Sequence, residues 1–319
     1  MPATLKIGSR PSKLALTQAE YVRNRLASVL LDAVIEIVEI KTSGDRMKDA
    51  SLAQVGGKGL FIKELEQALS ARRIDIAVHS MKDLPAILAP EFRIASVPGR
   101  EDPRDALVAR SGTSLAAMPP GSRVGTSSPR RQLQALRVNP SLSISPLRGN
   151  VDTRLKRVVD GDLDGIIIAM AGLKRLGRTE INLAALDEID FIPAGGQGIL
   201  AIEALNDGSA GGSHECEAAL SAISDPRVQF EATAERAFLA TIGASCVTPV
   251  GVKASAANGN FTIRSILFSN DGSRELSESF EEPLDPDLAM SRAYLAGQNL
   301  AERMLARGAR ALISEGSPG

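Results

Sequence analysis

Five clusters of polar residues carry the chemistry open to this chain. Arg10 and Ser12 follow an apolar run at 5–7. His79-Ser-Met-Lys82-Asp83 follows a run at 74–78. Thr126, Ser127, Ser128, Pro129, Arg130 and Arg131 follow residues 123–125. Arg148 ends a run at 142–147 with Arg154 beyond it, and Lys174 and Arg175 follow the run 165–170. In open α/β sheets, ligands bind beyond the carboxyl ends of strands. Ser128 is placed to cap a helix whose first residue is Pro129. Free amides at such a start favour anions, and Arg130 and Arg131 add charge there. Converging loops of this kind would set many cations around one carboxylate, Asp83. That environment suits a ligand bearing several carboxylates or phosphates.

Each cluster also has a plainer reading. Arg130 and Arg131 fit a solvated helix face, and Arg154 with Arg157 fits a pair of surface charges. Asp83 fits a turn cap before Pro85, and His79 fits a core histidine at a strand end. Gly56-Gly-Lys-Gly59 lacks the Gly-Lys-Ser/Thr ending of a phosphate loop and reads as a flexible loop. Cys216 has no second cysteine at metal spacing, and two His with two Cys make a zinc site a poor fit. Cys246 lies in the loop Gly243-Ala-Ser-Cys-Val-Thr-Pro249, where a thiol can be exposed and reactive. No histidine stands near it in sequence to activate it.

The elements that must position these residues alternate. Strand patterns at 5–7, 34–40 and 74–78 are interleaved with helical patterns at 13–26 and 60–71. A second series has strands at 123–125, 142–147 and 165–170, with helices from Pro129 and over 151–159. Such alternation argues for α/β units around mainly parallel sheets. After about residue 220 the texture changes. Residues 222–242 read as one helix. Segments 250–254, 261–268 and 276–280 read as antiparallel strands with a hairpin turn at Asn258-Gly259, and 285–307 as one long helix. This is the pattern of a small α+β domain. Gly208 to Ser213 reads as a loop before it.

The length of 319 residues implies two or three domains. Hydrophobic residues are 44% and charged residues 24%, which excludes a disordered or collagen-like chain. The net charge of −1 argues against nucleic acid held by bulk charge, and 3% aromatics without Trp against base-stacking platforms. No apolar stretch is long enough to span a bilayer, and the start MPATLKIGSR lacks the apolar core of a secretory leader. The expectation is a soluble cytoplasmic protein with no membrane or nucleic-acid partner.

Taken in order, the segments KIGSRPSKLALTQA, KTSGD, VGGKGLFIKELE, DIAVHSMKDLP, REDPRDALV, VGTSSPRRQ, LRGNVDTRL, AMAGLKRLG, PAGGQGILAIE and ASCVTPVG resemble the porphobilinogen deaminase (hydroxymethylbilane synthase) family. The resemblance covers about residues 5–250. It implies an enzyme that joins four porphobilinogen molecules head to tail, with loss of ammonia, into the linear tetrapyrrole hydroxymethylbilane. It implies growth on a covalent dipyrromethane cofactor attached by a thioether to Cys246, and no metal or nucleotide.

The resemblance makes Asp83 the catalytic aspartate. Loss of ammonia needs a proton and leaves an electrophilic cation, and a carboxylate can shuttle the proton and stabilise the charge. The resemblance expects Lys82, Asp83, Thr126, Ser127, Ser128, Arg130, Arg131 and Arg148 around the cofactor. It expects Arg10, Ser12, Phe61, Arg148, Arg154 and Arg175 around substrate, with Phe61 stacking on a pyrrole ring. The segment before Phe61 resembles the family's mobile lid. Two residues depart from the pattern: Gln54, where relatives often carry Lys, and Pro129, where Leu is common.

The fold implied is two periplasmic-binding-protein-like α/β domains with a cleft between them, plus a small C-terminal α+β domain bearing the cysteine loop. Their expected bounds are 1–99 with a return segment near 195–217, then 104–193, then 220–319. A monomer is expected.

Overall fold

The computed structural model describes residues 4–46, 62–178, 182–208, 214–245, 247–284 and 287–314. The strands are β1 (Thr4–Ser9), β2 (Val34–Glu39), β3 (Ile76–Ser80), β4 (Phe92–Ser96), β5 (Asp105–Ala109), β6 (Arg123–Gly125), β7 (Ser143–Ser145), β8 (Gly165–Ala169), β9 (Leu183–Ala185), β10 (Leu200–Leu205), β11 (Val250–Ala257), β12 (Asn260–Phe268) and β13 (Glu275–Pro283). The helices are α1 (Lys13–Ala27), α2 (Ser43–Arg46), α3 (Lys63–Ser70), α4 (Pro129–Val138), α5 (Val151–Val159), α6 (Met170–Arg175), α7 (His214–Ile223), α8 (Pro226–Ile242), α9 (Met290–Ala306) and α10 (Ala309–Ser314). They fall into two compact units.

The first unit takes Met1–Arg100 and Ile199–Gln229. Its sheet has the order β2-β1-β3-β10-β4. β1 runs parallel to β2 and β3, while β10 is antiparallel to β3 and β4. Alternate side chains of a strand enter opposite faces. Ile76 and Val78 therefore join Leu5, Ile7, Val22, Leu26, Ile202 and Leu220 under α1 and α7. Ala77 joins Leu65, Leu69, Ile74 and Phe92 on the α3 face.

The second unit takes Glu101–Gly198 and Phe230–Gly319. Its larger sheet has the order β7-β6-β8-β5-β9. β6 is parallel to β7 and β8, and β5 is antiparallel to β8 and β9. Both five-stranded sheets thus share one plan, with the parallel strands in the order second, first, third and an antiparallel strand beside the third. In the first unit that strand is the last in the chain, and in the second unit it is the first. The small sheet β11-β12-β13 is antiparallel throughout. Phe230, Phe238, Val252, Ile263, Leu267, Leu300 and Met304 pack its core. Phe230 meets Phe261 edge to face, with ring centroids 5.0 Å apart.

The expected α/β and α+β textures are present, with corrections. The large sheets are mainly parallel as expected, but one strand of each, β10 and β5, enters antiparallel. The single helix expected over 222–242 is two helices. Pro226 opens α8 and cannot continue α7, and Asp225 Oδ1 accepts from the amides of Arg227 and Val228. The long helix expected over 285–307 is described from Met290, with α10 following; residues 285–286 lie outside the described residues. So do residues 60–61 at the expected start of α3 and 209–213 of the expected loop. Asn258 and Gly259 turn the hairpin with φ of 53° and 75°. Two successive positive φ values match the twist of the flanking strands.

Gly198 precedes β10 with φ +84°, and a Cβ there would strike the carbonyl oxygen of Glu101. Gly177 has φ +64° with open space around it. Gly177→Ala is expected to cost about 1–2 kcal/mol, the left-handed penalty alone. Gly198→Ala should cost more, roughly 3 kcal/mol, because backbone must also move. Urea unfolding of both variants checks the order.

Candidate functional site

In the first unit, the ends of β1 and β3 lie side by side, because these strands pair in parallel. Arg10 and Ser12 follow β1. Ser12 caps α1, its hydroxyl accepting from the Ala15 amide at 3.3 Å. Lys82 and Asp83 lie in the single 3-10 turn Met81–Asp83 that follows β3. Arg10, Ser12, Gln18, Ile62, Ser80 and Asp83 help to line one small cavity of about 70 Å³. Asp83 is exposed there. Gln18 is buried and donates to Ser80 Oγ at 3.0 Å.

Arg10 is oriented by the KTSGD segment. Its Nη2 donates to Asp45 Oδ1 at 2.5 Å, and Thr42 donates to Asp45 Oδ2 from its amide (3.1 Å) and its hydroxyl (2.7 Å). Burial acts to raise the Asp45 pKa, but the hydrogen bonds from Arg10 and Thr42 outweigh it and hold the carboxyl below its ordinary 3.8.

His79 is buried, as its plainer reading holds, but it is not an apolar core residue. Its Nε2 lies 2.9 Å from Oε2 of Glu203, a fully buried residue of β10. Burial raises the pKa of nearby Glu66 on α3, and the charge of Glu203 raises it further. Burial also pushes the Cys216 thiol up to about 11, so this cysteine is an inert core thiol.

In the second unit, Ser128 caps α4, accepting from the Arg131 amide at 3.4 Å, with Pro129 at the first helical position. Thr126 Oγ1 accepts from the Ser128 amide at 3.2 Å. Ser127 Oγ donates to the Leu147 carbonyl (2.8 Å) and accepts from its amide (2.9 Å), joining the ends of β6 and β7. The solvated reading of Arg130 and Arg131 fails, since they are 4% and 7% exposed. Arg130 Nη1 donates to Asp105 Oδ2 at 2.7 Å and to the Ile192 carbonyl at 2.8 Å. Arg131 donates from Nε to Asp105 Oδ1 at 2.8 Å and from Nη2 to Gln197 Oε1 at 3.3 Å. Burial acts to raise the Asp105 pKa, but the charges of Arg130 and Arg131 prevail and hold it far below the usual carboxylate range.

Two of the remaining arginines donate to backbone carbonyls. Arg154 Nε donates to the Gly149 carbonyl at 2.9 Å, and Arg175 Nη2 to the Gly198 carbonyl at 2.6 Å. Arg148 is exposed beside the capped start of α5, where Asn150 Oδ1 accepts from the Thr153 amide. Phe61, Gln54, the Gly56–Gly59 loop and Cys246 lie outside the described residues. No group of three or more His, Cys, Asp or Glu that could hold a metal occurs among the described residues.

The donor set fits a cofactor rich in carboxylates. Two buried guanidinium groups share one carboxylate, leaving a single positive charge at a helix start, with three hydroxyl residues beside it. Asp45 orients Arg10 in the first unit, and Asp105 with Gln197 holds Arg130 and Arg131 in the second; none of the three was singled out from the sequence. The available signal was Asp105 itself, a charged residue opening the buried run Asp-Ala-Leu-Val-Ala, which requires a partner.

Fold and charge together define a class: an α/β protein whose strand ends carry cations and capped helix starts. Family models then narrow it. The model "Porphobilinogen deaminase, dipyromethane cofactor binding domain" matches residues 5–210, and "Porphobilinogen deaminase, C-terminal domain" matches 229–306. The chain belongs to the porphobilinogen deaminase family.

Porphobilinogen deaminase of Thiobacillus denitrificans is 43% identical over 97% of this chain and 98% of its own length. That of Chromobacterium violaceum is 43% identical over 97% and 96%. Among solved structures, a probable amino-acid ABC transporter extracellular-binding protein from Bacillus subtilis aligns with 70% of this chain and 92% of its own. Its TM-score is 0.45 and its identity 12%. No described helix is long and apolar enough to cross a membrane.

Because the Asp45 pKa is lowered in the folded chain, its stabilisation is present above pH 3.8 and is lost as pH falls further. Asp45→Asn is expected to cost about 1.5 kcal/mol at pH 7, the value of a charge-assisted hydrogen bond. The gap from the parent protein should close towards pH 3, as measured by urea unfolding across that range.

Proposed function

We propose that this chain polymerises porphobilinogen, joining four molecules head to tail with release of ammonia to give hydroxymethylbilane. The observation that carries the assignment of roles is the cavity that places Asp83 with Arg10 and Ser12 at the ends of β1 and β3. A dipyrromethane primer, thioether-linked to Cys246, supplies the nucleophilic pyrrole carbon when bound. That attachment rests on the position of Cys246 in the ASCVTPVG segment.

Asp83 acts as the proton shuttle. As a carboxylate it accepts hydrogen bonds from pyrrole N–H groups and stabilises the cation formed when ammonia leaves porphobilinogen. Arg10 and Ser12 bind substrate carboxylates, and Asp45 keeps the Arg10 fork oriented. Arg148, Arg154 and Arg175 bind carboxylates of the growing chain. Lys82, Thr126, Ser127, Ser128, Arg130 and Arg131 hold the acetate and propionate arms of the cofactor. Phe61 stacks on a ring. Each porphobilinogen unit adds two carboxylates, so demand for arginine grows with the product.

We read the chain as three domains, at about 1–99 with a return near 195–217, 104–193 and 220–319. Three separate sheets support this reading. We also place the protein in the cytoplasm as a monomer. The reducing compartment is supported by the thioether role of one cysteine and the buried position of the other.

Intact mass of the denatured protein followed by peptide mapping is expected to find an increment of two porphobilinogen-derived rings on Cys246. A bare mass that persists after incubation with porphobilinogen would overturn the function. Asp83→Ala should lower turnover by about 10²–10⁴-fold, the usual contribution of a positioned acid–base group, with an unchanged circular dichroism spectrum. Activity near the parent level would remove Asp83 from the mechanism. Thiol titration checks the two cysteines: the loaded native protein should show no reactive thiol, and denaturant should expose only Cys216.

A further inference from the structure

We propose that Asp105 is the positioning residue of the cofactor site: it holds Arg130 and Arg131 together as a preformed receptor of net charge +1, with Gln197 locking the arrangement. The inference rests on the function proposed above and extends it to residues that touch no pyrrole.

Two guanidinium groups buried side by side repel, and neither can shed its charge. Their burial requires a counter-charge. Asp105 is fully buried and divides its two oxygens between them, Oδ2 to Arg130 and Oδ1 to Arg131. The Ile192 carbonyl accepts from Arg130 and the Gln197 amide oxygen from Arg131. Gln197 Nε2 donates to Asp105 Oδ1 at 2.9 Å and to the Pro103 carbonyl at 2.7 Å. Three distant segments, β5, α4 and the stretch before β10, therefore meet at one carboxylate.

Asp105 is the one carboxylate paired with either arginine among the described residues, so one positive charge remains. That remainder sits at the capped start of α4, where a ligand carboxylate is stabilised by the charge and by the positive end of the helix dipole. A receptor whose arginines are fixed by Asp105 and Gln197 avoids the cost of ordering long side chains on binding. A counter-ion that only supported the fold would affect stability and leave ligand capture in the folded molecules unchanged. A counter-ion that sets the receptor's charge and geometry must change both.

Asp105→Asn keeps the shape and raises the cluster to +2. The variant and the parent chain are made as apoprotein in cells unable to form porphobilinogen, then incubated with porphobilinogen at a temperature where both are folded. Intact mass follows the gain of cofactor. The variant is expected to load about ten-fold more slowly, the equivalent of one charge-assisted hydrogen bond. Its melting temperature should fall by roughly 10 °C, as for a broken buried pair. Added sulfate should raise that temperature more in the variant than in the parent, since the uncompensated charge recruits an anion.

Loading at the parent rate with a parent-like sulfate response would overturn the proposal. If Asp105→Asn does not fold, Gln197→Ala keeps the cluster charge and removes only the lock. It should load several-fold more slowly with an unchanged sulfate response, and parent-rate loading would again overturn the proposal. If the parent chain itself gains no mass, the proposed function fails, while the sulfate response still reports on the charge role of Asp105.

Discussion

β10 is the strand on which the first unit depends. Residues 200–205 lie between β3 and β4 and supply the antiparallel ladder that both strands need. Without β10, the inner edges of β3 and β4 would present unpaired backbone groups, an arrangement folded proteins avoid. β10 also carries Glu203, which faces His79 across the ladder, and the amide of Met81 donates to the carbonyl of Ile199 just before it. The turn bearing Lys82 and Asp83 is thus held by a segment more than a hundred residues away. The geometry of the proposed proton shuttle is set by this return of the chain.

Charge is handled differently in the two units. In the first, Asp45 and Thr42 orient a half-buried Arg10 while Asp83 stays exposed to solvent. In the second, Asp105 allows two arginines to be almost wholly buried. The Arg10–Asp45 pair keeps part of its surface in solvent. The buried cluster is expensive to desolvate and worth its cost only where a fixed geometry is required. On the proposed roles, the rigid site serves a primer that stays attached through many turnovers, and the more open one a substrate that must come and go. The shared strand order of the two large sheets places both sets at equivalent strand ends.

What could be read in advance followed the range of the interaction. The cap at Ser128, the proline at the first position of α4 and the paired positive φ values at Asn258-Gly259 are settled within four or five residues, and all stood in the sequence. The break between α7 and α8 was equally local. Asp225-Pro226 is a helix-start signal, and the apolar continuity on both sides masked it. The one antiparallel strand of each large sheet was not legible, because the direction of β5 and β10 depends on partners far away in the chain.

The chain by itself therefore determined its local structure, its family and the residue types that do chemistry, since caps, turns, periodicity and ordered motifs are properties of neighbouring residues. Only the tertiary structure decided which charges neutralise one another. Arg130 and Arg131 read as a surface pair until Asp105 and Gln197 reach them from other segments. Buried charge is tolerated only with a partner, and that partner need not be near in sequence.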